Sequence, residues 1–406
     1  MNTFLKNYGF SLLLLLGVAL GITCGLIFGE GVHIVAPVGE LFLNLLFTLV
    51  VPMVFFSVAS SINKLCAEGI AGKTITRVFL VFLALSLMAG LLGYVAVRIY
   101  NPAPDVAPDS ALSGLALTTE LGQNSLGKAI VDSFTVSDFG QMFSKTRLLP
   151  LIVFALLFGF ATAAVKGQKM GHLLEEGTSI TMKMMSYVMY LAPIGLGCYC
   201  ADMVASLGGQ LLAGFGKSVV LFFILAAVFF FVIHSAYVLL FEGLGGLKQY
   251  WKHILPPSLT AFATTSSAAA IPGNIEAAVK MGVNPAIAEA TIPLGTTIHK
   301  DGSMASGVIK IAFLMGIAGQ AIGGFGNAAE VIGIAMLSGI VMGAIPGGAG
   351  TGEILICSML GVDPKLSGLI IVLGTLFDMP ATAVNSSSNV VCSIIVNRLC
   401  GNHLKK

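Results

Sequence analysis

From residue 8 to residue 29 the chain reads YGFSLLLLLGVALGITCGLIFG, with no charged side chain. A bilayer is crossed by about 20 apolar residues in helical form, and this run is long enough. Further apolar runs follow at 32–62 (read as one tilted span), 76–99, 148–165, 178–204 and 212–240. Only 10% of the residues are charged and 56% are hydrophobic, against roughly 25% charged in an ordinary soluble chain. No globular core could bury that much hydrocarbon-like surface. The fold class is therefore all-α and polytopic in a membrane, which excludes a cytosolic enzyme. The first run is longer than a signal-peptide core and has no Ala-x-Ala site after it, so it is expected to stay as a span.

Charge sets orientation and narrows the partners. Lys6, then Lys64, Lys73 and Arg77, then Lys166 and Lys169, then Lys248 and Lys252, then Lys405 and Lys406 fall on alternate sides of the spans. By the positive-inside rule that side is cytoplasmic, which places both termini inside. The connection 100–147, with Asp105, Asp109, Glu120, Asp132 and Asp138, is then external. A net charge of +2 gives no footprint for a nucleic-acid partner. The seven cysteines (Cys24, Cys66, Cys198, Cys200, Cys357, Cys392, Cys400) show no zinc-type spacing and read as small apolar fillers. No cofactor is expected, and no metal is assigned by spacing. Pro52 and Pro193 are expected to kink their helices, which membrane helices tolerate.

After residue 254 the texture changes. The segment 256–282, PPSLTAFATTSSAAAIPGNIEAAVKMG, is interrupted by a Thr/Ser run and by Pro272-Gly273. The segment 337–364, LSGIVMGAIPGGAGTGEILICSMLGVDP, is interrupted in the same way at Pro346, Gly347, Gly348 and Gly350. Each has two apolar halves too short to span twice, so each is expected to be a helical hairpin that enters and leaves by one face. Non-helical backbone is tolerated at membrane depth only where it lines a protein cavity. A pair of such interrupted segments points to a transporter's binding site. Between and after them lie two spans with buried charge: 283–325, carrying His299, Lys300 and Asp301, and 366–398, whose only carboxylate is Asp378. An ionisable group at membrane depth costs roughly 2.5–3.5 kcal/mol and is a functional candidate by default.

Four stretches in this order resemble the dicarboxylate/amino acid:cation symporter family, the glutamate-transporter homologues. They are the serine-rich tip TTSSAAAIP with Ser266 and Ser267, the interrupted span His299-Lys300-Asp301-Gly302-Ser303, the tip Ile345-Pro346-Gly347, and Asp378, Ala381, Thr382, Asn385 and Asn389. In order, these four match family patterns of a serine run before Pro, Asn-Met-Asp-Gly-Thr, Val-Pro-Gly and Asp-x-x-Arg-Thr-x-x-Asn-x-x-x-Asp. The resemblance covers essentially the whole chain. It implies eight spans plus two re-entrant hairpins in a homotrimer. It also implies a scaffold from 1–75 and 100–211, and a mobile transport domain from 76–99 and 212–406 that moves like an elevator, with the second hairpin as gate. Localisation in a bacterial inner membrane follows from the same resemblance. Ser266, Ser267, Ser303, Ile345, Gly347, Asp378, Thr382 and Asn385 are then expected to hold the substrate.

Departures from the pattern refine the expectation. The arginine that clamps acidic side chains is Ala381 here, and the alternative arginine of the first tip is Thr265. Asp378, which in the family takes the substrate's α-amino group, is kept, as are Thr382 and Asn385. A small neutral amino acid is the expected substrate, and AVNSS at 383–387 is similar to the serine/threonine branch. The family's oxygen-donating asparagine is His299, its distal aspartate is Asn389, and Lys300 replaces a methionine among the sodium sites. The third span offers only Ser86. Loss of anionic ligands and gain of an ammonium imply a tethered cation in place of sodium. Lys300 is the expected cation, with Asp301, Asp378 or Glu353 as its counter-ion. Sodium coupling would be weakened or absent. Asp301, Asn385 and Asn389 remain possible sodium ligands, and sodium or proton remains the possible coupling ion. Two alternatives compete: a sodium-coupled carrier of acidic substrates with Lys300 as clamp, and an intramembrane hydrolase with Ser303 activated by Lys300.

Overall fold

A computed structural model describes residues 2–67, 72–102, 135–143, 148–318, 322–323, 325–342, 350–362 and 364–401. Its helices are α1 (Asn2–Phe28), α2 (Ala36–Ala67), α3 (Gly72–Ile99), α4 (Leu148–Ala164), α5 (Gln168–Met189) and α6 (Ala192–Ala227). There follow α7 (His234–Thr264), α8 (Ile271–Met281), α9 (Pro285–Ile298), α10 (Asp301–Ile317), α11 (Phe325–Val341), α12 (Thr351–Met359) and α13 (Pro364–Leu399). Short 3-10 turns cover Gly29–Val35 and Phe139–Phe143, and a π-helical turn, Val228–Ile233, joins α6 to α7. No strand occurs among the described residues. The expected substrate-binding residues Ile345 and Gly347, with Pro346 between them, most of the external loop, and Lys405 and Lys406 lie outside the described residues.

The all-α membrane class stands. Among the described residues, four helical stretches are long and apolar enough to cross a bilayer, or five if one bent pair is a single span. The other apolar helices are shorter or interrupted. Three boundaries differ from expectation. The run 32–62 begins with the 3-10 turn, and α2 then extends to Ala67 with Pro52 inside it. The run 178–204 is broken at 190–191, with a bend of 58°. Pro193 does not kink that helix but opens a new one, since it lacks the N–H that the first helical turn leaves unbonded. The chain is then helical through 205–211, where a separation of two spans was expected. That stretch holds Gly208 and Gly209 but no proline, so every backbone N–H can still bond within the helix.

Side-chain size decides how the helices meet. On α1, Gly17 and Gly21 let the helix rest directly on the backbone of Pro193 and Gly197 of α6, the close approach that small residues permit in membranes. A first apolar cluster joins α2, α4, α5 and the start of α6 through Phe42, Met53, Leu151 and Leu174. A second joins α3, the end of α6, and α10 to α13 through Val308, Phe313 and Phe377. A third joins α3, α7, α8, α9 and the end of α13 through Phe82, Val238, Tyr250 and Val391. Helix α13 contributes to all three, and 78% of its most apolar window is buried, against 22% for the N-terminal stretch. It is the inner column against which the polar residues assemble.

Candidate functional site

Helix α9 ends at Ile298 and α10 begins at Asp301. Between them His299 (φ −119°, ψ 111°) and Lys300 (φ −142°, ψ 75°) are extended. The span is therefore interrupted at the expected place. The break brings His299 and Lys300 inside the protein, and puts Asp301 in the first turn of α10, where a carboxylate is favoured by the helix dipole. Opposite stands one face of α13. Asp378, Thr382, Asn385, Asn389 and Cys392 recur at intervals of three or four residues, so they line up along that face.

The two elements are joined by a ladder of polar contacts. The Asn385 amide donates through Nδ2 to Ser303 Oγ (2.9 Å) and accepts at Oδ1 from the Ser303 N–H (3.1 Å). One turn earlier, Thr382 Oγ1 donates to Asp378 Oδ1 (3.3 Å), and Asp378 is only partly buried. Ser303 and Asn385 are thus one bonded pair across the two elements, and Thr382 and Asp378 a second pair on α13 itself. Ser266 and Ser267 are buried in the turn between α7 and α8, where Ser266 Oγ accepts from the Ala269 N–H (3.2 Å). Among the described residues no hydrogen bond links either serine to that cluster. The hairpin reaches α13 through Asn274 instead, whose Nδ2 donates to Ser386 Oγ at 2.7 Å.

The expected ion pairs are rearranged. Asp301 is not the partner of Lys300: its Oδ1 lies 3.0 Å from His299 Nε2, and its Oδ2 accepts from Ser388. The other ring nitrogen, His299 Nδ1, lies 3.0 Å from Asn389 Oδ1. Phe82 of α3 stacks on the imidazole with centroids 4.7 Å apart, and Cys392 Sγ sits 3.7 Å from Nδ1. Oxygens thus face both ring nitrogens, Asp301 at Nε2 and Asn389 at Nδ1. The three candidate sodium ligands are all engaged: Asp301 by His299 and Ser388, Asn385 by Ser303, and Asn389 by His299. Among the described residues, no group of three or more His, Cys, Asp or Glu is placed to hold a metal ion.

Glu353 is likewise not the counter-ion of Lys300. It pairs with Lys310 of α10, Nζ to Oε1 at 2.5 Å, with both side chains buried. Sequence reasoning passed over Lys310, although a lysine inside the apolar run ASGVIKIAFLMG stands out. Lys300 forms no ion pair among the described residues. It is buried, within electrostatic reach of Asp378. It lines a cavity of about 400 Å3 with Ser86, Phe82, Met304, Ile62 and Leu156. Ser303 Oγ is bonded by Asn385 rather than by Lys300, so no Ser–Lys pair is assembled. His234 was also passed over. It follows the π-helical turn, a feature frequent at functional sites, and its Nδ1 lies 3.3 Å from Ser387 Oγ and 3.4 Å from Tyr250 Oη.

A model of the sodium:dicarboxylate symporter family matches residues 10–399. That is nearly the whole chain, and the chain belongs to this family. It is a multi-pass membrane transporter of small substrates and not an enzyme.

Proposed function

From that membership we propose that the chain carries a small neutral amino acid by an elevator movement, with sodium coupling weakened or absent. Asp378 takes the substrate's ammonium, and Thr382, Asn385 and Ser303 orient its amino and carboxylate ends. The carrying observation is Ala381: the place of the acid-clamping arginine is a buried methyl whose carbonyl lies against Gly302. A guanidinium matches a carboxylate with two parallel hydrogen bonds, and the residue at that place offers no such fork. Arg77 and Arg98 are directed elsewhere, to Cys400 Sγ and the Ile322 carbonyl.

The coupling reading rests on His299 more than on Lys300. An imidazole between Asp301 and Asn389 fills the space that an oxygen cage for sodium would need, and as imidazolium it supplies the charge. Lys300 adds a second fixed charge near Asp378. The scaffold is 1–75 and 100–211. The moving part is 76–99 and 212–406, with the two hairpins re-entrant and the second acting as gate, within eight spans. The assembly is a homotrimer in a bacterial inner membrane, with both termini cytoplasmic.

Uptake into proteoliposomes tests this with L-serine, L-threonine, L-alanine, L-aspartate and L-glutamate, under sodium and proton gradients imposed separately. Neutral amino acids should accumulate, and replacing sodium by choline should leave uptake near its original rate. If aspartate competes as well as serine, Lys300 is a carboxylate clamp and the acidic-substrate reading takes over.

A further inference from the structure

Lys300 is 8% exposed, and it lines the cavity that separates α2 and α4 from α3, α10 and α11. Its neighbour Asp301 is turned to His299 and Ser388, and Glu353 is held by Lys310. Asp378 lies within electrostatic reach, yet among the described residues no carboxylate pairs with the ammonium. A buried charge without a partner is costly, and an ammonium carries three donors that need acceptors. The cavity wall supplies little. Among the described lining residues the other polar side chains are Thr76 and Ser86, and the rest is apolar.

The volume of about 400 Å3 falls in the range of pockets that hold small ligands by apolar walls and one or two polar groups. Phe82, Met304 and Met336 are among those walls, and methionine adapts its shape to apolar guests. On the α3 side the lining residues Phe79, Leu80 and Leu83 are 38%, 60% and 44% exposed. In a membrane-spanning chain, these exposed apolar side chains leave an entry for a molecule dissolved in the bilayer. We propose that the cavity binds an alkyl carboxylate, a fatty-acid anion, with its carboxylate on Lys300 Nζ and its chain along Phe82, Met304 and Met336. The carboxylate gives the ammonium a charge-assisted hydrogen bond, and the chain fills the space between the helices. One chain suits the volume; a two-chain phospholipid does not. Ile62 of α2 and Leu156 of α4 close the far side, so the guest touches both sets of helices. The site does not depend on which amino acid is carried.

The full chain in phosphatidylcholine nanodiscs is photolabelled with a fatty acid that carries a diazirine in its chain, and labelled peptides are identified by mass spectrometry. Label should concentrate on the peptides that hold Phe82, Met304 and Met336. Decanoate should displace it, whereas decanol should need a mole fraction in the bilayer at least about tenfold higher, the loss expected without a charged partner. Lys300→Met should lower labelling in the cavity by about the same factor, and Lys300→Arg should keep it. Leu83→Trp, which narrows the cavity from an exposed position, should also lower labelling with the ammonium intact. If Lys300→Met does not fold, the decanol comparison decides the charge and Leu83→Trp decides the place. The proposal is overturned if label spreads over the exposed apolar faces without enrichment in the cavity, if decanol competes as well as decanoate, or if Lys300→Met labels like the wild type. Displacement by L-aspartate would overturn it as well, because Lys300 would then be a clamp for the substrate. Displacement by phosphatidylglycerol as effective as by decanoate would give the cavity to a lipid headgroup instead.

Discussion

Among the described residues, Asp378 has neither a histidine nor a lysine in contact, and the hydrogen bond it receives is from Thr382. That leaves it open to a substrate ammonium. Asp378→Asn should abolish or severely weaken L-serine binding in calorimetry while the size-exclusion profile is unchanged, and wild-type affinity would remove the residue from the site. With no arginine at Ala381 or Thr265, aspartate should bind at least about tenfold more weakly than serine, since a charge-assisted hydrogen bond contributes roughly 1.5–3 kcal/mol. Competition binding measures this directly. His299 offers a sharper test. His299→Asn restores the oxygen donor of the family pattern and frees Asp301 and Asn389, so substrate affinity should begin to rise with sodium. A variant as indifferent to sodium as the wild type would show that the imidazole is not the substitute cation. Lys300→Met should weaken substrate binding, because it removes a charge near Asp378; silence would reduce Lys300 to a wall of its cavity.

The break at 299–300 is the element that makes the site, because a continuous helix would hold every backbone group within itself. Its halves are fixed to α13 at both ends: Ser303 at Asn385, and the start of α9 by the Asn284 N–H on Asn397 Oδ1 (3.1 Å). The first hairpin is fixed to the same helix by Asn274 and Ser386. Asn274→Ala leaves the buried Ser386 hydroxyl without its amide partner, so unfolding in detergent should come earlier by about 1–3 kcal/mol. A thermal-shift or denaturant series checks this, and an unchanged midpoint would mean that the hairpin is held by apolar contacts alone. The interruption between Thr264 and Ile271 was legible because Pro, Gly and Ser runs are rare in apolar helices. The break at 190–191 was less so, since Pro193 is equally compatible with a kink inside a helix and with the start of a new one; the neighbouring helices decide which.

For the molecule as a whole, the three apolar clusters set α2, α4 and α5 apart from α7 to α10, with α13 between them. On the proposed reading, the first group is the static scaffold and the trimer interface, and native mass spectrometry in detergent should give three copies. A monomer with full transport activity would sink that assembly. Class, family and the positions of the breakers were determined by the sequence by itself, because apolar length, charge depletion and helix-breaking residues act locally and leave their mark in the order of the letters. That Asp378, Thr382 and Asn385 share one face of α13 was legible in their spacing. Which charge meets which was decided only by the tertiary structure. Lys300 is adjacent in sequence to Asp301, yet the backbone break turns it away and gives that carboxylate to His299. Glu353 is taken by Lys310, 43 residues away. Ion pairing in a low-dielectric interior depends on distances of a few ångströms between side chains on different helices, and helix rotation and packing alone set those distances.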